Sequence, residues 1–235
     1  MRYLGGKERI AAHMAPLILA EAKGRPIWEP FCGGLSVSAA LARAGAGRLY
    51  LSDANRALIS LYQAWDLGWR PPVVLGEADH AAAKGLPDSD PIKAFLLVGC
   101  SFVGQYGSGW AREGRRDFAR GAANSLDRKF QGLARAAHDF AALDFMAEAP
   151  EGGLPVYCDP PYAGTTGYRG PGVPAWDPAA FWARAREWAA AGSTVLVSEY
   201  QAPPDATCIW ARERDHPMGR GLDRRRVERI YRLGP

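Results

Sequence analysis

The chain predicts an α/β fold: a doubly wound, mostly parallel sheet interrupted by one small, mostly helical insert. Three observations carry this. A strand–helix–strand–helix beat runs over residues 27–67, the pattern of parallel strands joined by crossover helices. Glycine and aspartate stand at the ends of its apolar runs, in "EPFCGG" and "LSDAN". After a basic, glycine-rich interruption the beat returns, in "LPVYCDPPY", "DPAAFWARAREWAAAG" and "STVLVSEY".

Taken in order, "ERIAAHMAPLILAEA" reads as an opening helix. "RPIWEPFCGG" is a short strand, Ile27–Glu29, that closes on a Pro/Gly turn. "LSVSAALARAG" then has helix-forming composition with Gly45 as its stop. "GRLYLSDAN" is a second strand that breaks at Asp53 and Asn55, and "RALISLYQAWDLGW" is a second helix. The beat is lost over 68–138. That stretch holds an apolar helix near 92–102, the long loop "GQYGSGWAREGRRDFARGAANS" and a helix around 126–140. Residues 1–67 and 139–235 are therefore expected to form the main domain and 68–138 an inserted subdomain. "AALDF", "LPVYCDPPY" and "STVLVSEY" are the later strands, with an amphipathic helix between the last two. "ATCIWARERD" and "RRVERIYRL" are expected to close the sheet as an antiparallel pair.

Composition narrows the class. A chain of 235 residues, 48% of them hydrophobic, suffices for one α/β core. No apolar run nears the roughly 20 residues of a membrane span, and the opening "RYLGGKERIAAHM" lacks the apolar heart of a secretory signal. Cys32, Cys100, Cys158 and Cys208 form no CxxC pair, which points away from zinc or a disulfide framework and towards a reducing cytoplasm. His13, His80, His138 and His216 show no ligand spacing, so no metal is expected; a monomer is the expected state. Positive charge, mostly arginine, gathers in two places. Residues 112–135 hold seven basic residues against three acidic ones, and the tail carries "RGLDRRRVERIYR". Arginine's planar fork suits phosphate and guanine, although such clusters also serve as ordinary solvated surface.

Two groups of residues point to chemistry. In open α/β sheets ligands bind beyond the carboxyl ends of the strands. There "EPFCGG" turns through paired glycines, and Asp53 follows Gly33 by 20 residues, the spacing at which an acid meets ribose hydroxyls. Neither a GxGxxG fingerprint nor a GxxxxGK[ST] loop is present. A nucleoside cofactor without a pyrophosphate fits, with S-adenosylmethionine as the candidate. Tyr3 and Lys7 in "RYLGGK" form either an ordinary turn or a loop over a ligand carboxylate.

The second group is "CDPPY". Its adjacent prolines have no N–H to donate and stop the preceding strand. They aim the Asp159 carboxylate and the Pro160 carbonyl in fixed directions, which is electrostatic preorganisation. Two such acceptors draw the N–H groups of a ring amine out of plane and make its nitrogen nucleophilic. Tyr162 offers a π-face to a base flipped out of its duplex. In isolation the same four residues would also make a rigid surface turn. Cys158 has no neighbouring base to lower its pKa and reads as a small core residue.

Taken together, "YLGGK", "EPFCGGLSVS", "LSDAN", "LDF" and "CDPPY" resemble, in order and over essentially the whole chain, the D12-class DNA adenine-N6 methyltransferases. Its closing segments "TVLVSEYQAP" and "VERIYRL" look like those of phage-encoded members. The resemblance implies a Rossmann-like, S-adenosylmethionine-dependent fold with 68–138 as target-recognition insert. It implies that Tyr3 and Lys7 lie over the cofactor, that Phe31, Cys32, Gly33 and Gly34 line it, and that Asp53 holds the ribose. Asp144 and Phe145 would contact the adenine ring, and Asp159, Pro160 and Tyr162 would form the catalytic grip beside it. Two departures stand out. The family's turn often reads FxGxG where this chain has Leu35, and the insert is shorter than in GATC-methylating enzymes, so no target sequence is carried over.

From the residues themselves, Tyr106, Arg112, Arg115 and Arg116 are read as contacts to double-stranded DNA. Tyr106 or Trp110 is a candidate wedge for the gap left by a flipped base, with packing against the body as the alternative for Trp110. Two other readings are open: the same chemistry on RNA or a protein amide, and an inactive methylase fold that only binds DNA. Intact Asp159, Pro160, Pro161 and Tyr162 weigh against the second.

Overall fold

In a computed structural model the chain forms a seven-stranded sheet. The structure describes residue 1 and residues 3–112, 117–162, 170–215 and 225–234, with backbone alone at 214, 215, 225 and 226. The strands are β1 (Ile27–Glu29), β2 (Arg48–Asp53), β3 (Ala137–Ala142), β4 (Val156–Cys158), β5 (Val195–Glu199), β6 (Thr207–Asp215) and β7 (Arg225–Leu233), in the spatial order β3-β2-β1-β4-β5-β7-β6. The first five are parallel, and β7 enters antiparallel between β5 and β6. This is the mostly parallel, doubly wound sheet that the sequence predicts. Strand order reverses between β1 and β4, which opens a crevice at their carboxyl ends.

The period of two along each strand decides which helix covers which face. Ile27, Leu49, Leu51, Tyr157 and Leu196 join one core with helices α1 (Ala11–Ala22), α2 (Ser36–Arg43) and α3 (Arg56–Asp66). Trp28, Val156, Cys158, Val195 and Val197 point to the other face. There α7 (Pro178–Ala190) brings Phe181, Ala185 and Trp188. No described helix is long and apolar enough to cross a membrane.

Segment 68–138 shares the larger core. Its helix α4 (Glu77–Ala82) and the one-turn helix α5 (Pro91–Ala94) lead into a π-helical turn, Phe95–Gly99, and later α6 (Phe118–Leu133). Phe95, Leu97, Leu126, Phe130 and Leu133 pack with Leu61 and Trp65 of α3. The helix expected near 92–102 is thus shorter, an α-turn running into a π-turn that ends at Gly99. The helix expected over 126–140 is corrected at both ends. The Asp117 carboxylate caps its start by accepting from the Arg120 N–H at 2.9 Å, and Ala137 already belongs to β3, paired with Arg48 of β2. Phe140 consequently lies in a strand, and "LDF" follows the strand rather than forming it.

The Asp117 cap supplies a partner for one of the orphan N–H groups at the start of α6. Asp117→Ala is expected to lower stability by about 1 kcal/mol, read as a lower urea midpoint at unchanged slope.

Candidate active site

The carboxyl ends of β1, β2 and β4 converge on one pocket of about 760 Å³, partly open to solvent. Of the residues expected at a cofactor, Tyr3, Lys7, Phe31, Cys32, Gly33, Gly34, Asp53, Phe145 and Asp159 all line it. Asp144 does not: it is exposed, and its carboxylate accepts the Met146 N–H at 3.0 Å, capping the turn that delivers Phe145. Pro160 is buried behind the pocket while its neighbour Pro161 faces it.

The glycine turn owes its shape to Tyr3. A Cβ on Gly34 would stand 2.7 Å from the Tyr3 Cβ, and one on Gly33 would stand 2.9 Å from the Tyr3 ring. Both are closer than real side chains approach, so the paired glycines let Tyr3 lie against the turn. Leu35, which departs from the family's pattern, sits at φ 58°, ψ 25° at the start of α2. This left-handed conformation is free for glycine and costs another residue about 1–2 kcal/mol. Leu35 is fully buried, and burying a leucine side chain is worth about 1.5–3 kcal/mol, enough to hold the strained backbone.

Asp53 braces the same turn: one carboxylate oxygen accepts the Gly33 N–H at 3.0 Å, the other the Asn55 N–H at 2.9 Å. Burial raises its pKa to about 6, against the pull of those two N–H groups. On the opposite wall Phe31, Phe145 and Trp176 form an aromatic cluster with ring centroids 5.0–6.0 Å apart, a surface suited to a planar ring.

Two carboxylates went unread in the sequence. Glu29, at the end of β1, lines the pocket and is buried; the Ser38 hydroxyl donates to it at 2.6 Å. Burial raises its pKa to about 8, the Ser38 bond opposes this, and Asp159 and Asp53 add to it. Glu228, on β7, is 1% exposed and accepts from the Tyr162 hydroxyl at 2.7 Å. Lys7 stands beside Glu228 and the proline turn: its ammonium is 2.9 Å from Asp159 Oδ1, 3.7 Å from Glu228 Oε2 and 4.4 Å from the Tyr162 ring centroid. Trp176 was missed as well, since it directly precedes the Asp177 cap of α7 and its sequence context marks only a helix start. Cys158 is fully buried, and its thiol is pushed well up by burial and by Glu29 and Asp159.

Of the residues read as DNA contacts, Tyr106 and Arg112 are among the described residues. Tyr106 is half-buried, its phenol pushed up to about 12 by burial and by Asp88. Arg112 is exposed and paired with Glu77, and Arg115 and Arg116 lie outside the described residues. Trp110 packs edge-on against His80 at 5.8 Å.

Glu29 gives this site a pH signature. Its folded pKa stands above the ordinary carboxylate value, so its contribution to stability is fully present below about pH 4.5 and is lost as pH rises through about 8. Melting temperature is expected to fall more steeply between pH 6 and pH 9 in the wild type than in Glu29→Gln. Parallel curves would show that Glu29 does not titrate there.

Residues 3–68 match the family model of the D12 class N6 adenine-specific DNA methyltransferases. Among curated proteins none matches the chain. Three solved structures overlap it loosely. The rRNA methyltransferase aviRa from Streptomyces viridochromogenes is 16% identical, with 98% of this chain and 86% of that one covered, at a TM-score of 0.42. TrmN from Thermus thermophilus is 13% identical, with 95% and 48% covered, at 0.39. The glycopeptide N-methyltransferase MtfA, complexed with sinefungin, is 11% identical, with 95% and 70% covered, at 0.36. No residue correspondence is taken from them. Over the stretch that carries Tyr3, Lys7, the glycine turn and Asp53, the chain matches the D12 class of adenine-specific DNA methyltransferases, and methyltransferase is the class this match supports.

Proposed function

We propose that the protein transfers a methyl group from S-adenosylmethionine to the N6 amine of adenine in double-stranded DNA, with the base flipped into the site. The observation that carries the reading is the convergence of Asp53, the glycine turn, Lys7 and Asp159 on one pocket. The residues present fit such a cofactor. With Glu29 largely protonated at neutral pH, Asp53 and Asp159 still outnumber Lys7 in the lining, a balance suited to a ligand bearing positive charge. In this reading Asp53 would hold the ribose, and Phe31, Phe145 and Trp176 would offer an aromatic wall to the base.

Bound there, S-adenosylmethionine supplies an electrophilic methyl group on a sulfonium. The protein's own part is at the amine. The Asp159 carboxylate and the Pro160 carbonyl accept its two N–H bonds, draw nitrogen towards a tetrahedral shape and free its lone pair from the ring. Two prolines hold these acceptors in place before the substrate arrives, so little reorganisation accompanies the reaction. Tyr162, 8% exposed and edge-on to Tyr200 with centroids 4.6 Å apart, provides a fixed wall for the extruded base. The basic residues of 112–135 supply attraction to phosphate, and binding should weaken with salt.

Purified protein incubated with unmethylated duplex DNA and S-adenosylmethionine, followed by digestion to nucleosides and mass spectrometry, is expected to yield N6-methyladenine. Asp159→Ala should abolish the product. Confirmed cofactor binding with no methylated base rejects the reading, and product on RNA alone transfers it to another acceptor. Gly34→Ala is expected to weaken cofactor affinity about tenfold or more, because the new methyl group displaces Tyr3 from the turn; isothermal titration calorimetry measures this.

A further inference from the structure

Lys7 occupies the carboxylate that the proposed reaction needs. Its ammonium sits 2.9 Å from Asp159 Oδ1, on a side chain only 3% exposed. An ammonium at that distance withdraws electron density from Asp159 and weakens it as an acceptor for the substrate amine. The second carboxylate within reach of Lys7 is Glu228. Its Oε2 lies 3.7 Å from the ammonium, and the same oxygen accepts the Tyr162 hydroxyl at 2.7 Å. That bond holds the oxygen towards Lys7.

The topology explains why a residue so late in the chain is there. β5 runs parallel with β4 and ends at Glu199, whereas β7 runs antiparallel and its pairing with β5 starts at that end, with Arg229 paired to Glu199. Glu228, one residue before this pair, therefore stands at the same rim of the sheet as Asp159. A carboxylate 1% exposed costs several kcal/mol to desolvate unless it is paired. Here the partners include the catalytic turn's own tyrosine and the cation beside its aspartate.

We propose that Glu228 is a positioning residue: it takes over the Lys7 ammonium when Asp159 engages the acceptor amine, and through Tyr162 it holds the ring that faces the base. Lys7 remains an ammonium throughout, exchanging one carboxylate for the other, and no proton leaves it. Asp159 is thereby released to accept the amine N–H without leaving a buried cation unpaired. This rests on the methyltransferase reading given above.

The test is a double-mutant cycle on Lys7 and Glu228, with single-turnover methyl transfer, cofactor affinity by calorimetry and melting temperature measured on each variant. Glu228→Gln keeps an acceptor for Tyr162 and removes the charge. It is expected to slow single-turnover transfer about tenfold or more, with KM for DNA and cofactor Kd within about threefold. Glu228→Asp should recover part of the rate. In a Lys7→Met background, Glu228→Gln should cause no further slowing, because the cation it serves is gone. Wild-type rates in Glu228→Gln overturn the proposal. So does a loss of equal size with and without Lys7, or one confined to cofactor affinity or melting temperature, since each marks a purely structural role. Where Lys7→Met is too slow to measure, failure of Glu228→Asp to outpace Glu228→Gln overturns it. A wild-type protein that methylates no DNA fails the parent reading first, in a measurement separate from the variants.

Discussion

One ammonium group holds the rim of this sheet together. Lys7 comes from the turn before the first helix, Asp159 from the end of β4 and Glu228 from the last strand, and both carboxylates lie within 3.7 Å of the Lys7 nitrogen. These segments are remote in sequence, and none of the three charges would be stable at its burial alone. Because each charge is tolerated only through its partners, the N-terminal turn, the proline turn and the closing hairpin are bound to one geometry. Tyr162 joins this arrangement by giving its hydroxyl to Glu228 and its ring face to Lys7. The Tyr162 ring is therefore held by charge as well as by packing.

A second constraint comes from the glycine turn. Tyr3 lies where side chains on Gly33 and Gly34 would stand, and Asp53 anchors the Gly33 N–H from the next strand. The turn is thus braced from both sides before any ligand arrives. Leu35 shows how far the pattern can bend. Its left-handed backbone is the conformation glycine adopts without cost, yet a buried leucine holds it because its side chain packs fully into the core.

Much of this was legible in the chain itself. The strand at Ile27–Glu29, the break at Asp53 and the antiparallel closing pair are all found where turn chemistry and period placed them. The residues that line the pocket were marked by glycines and acids at strand ends, signals that are local. The extent of α6 was not legible: its start depends on the Asp117 cap and its end on Ala137 pairing with Arg48, a partner about 90 residues away. Segment 68–138 read as a separate insert because its pattern differs, yet Phe95, Leu126 and Phe130 share a core with Leu61 and Trp65. Composition reveals that such residues are apolar, but not which face receives them.

The sequence alone determined the class of fold and the chemistry on offer at the strand ends, since both follow from short-range pattern: period, proline and glycine placement, and the spacing of acid to glycine. Only the tertiary structure decided which charges meet. Glu29 reads in the chain as the last residue of a strand and Glu228 as one acid in an arginine-rich tail. Their burial, and the pairing of Glu228 with Lys7 and Tyr162, arise from strand order and from the antiparallel entry of β7. Long-range pairing sets the environment of an ionisable group, and environment rather than identity sets its charge state and its partners.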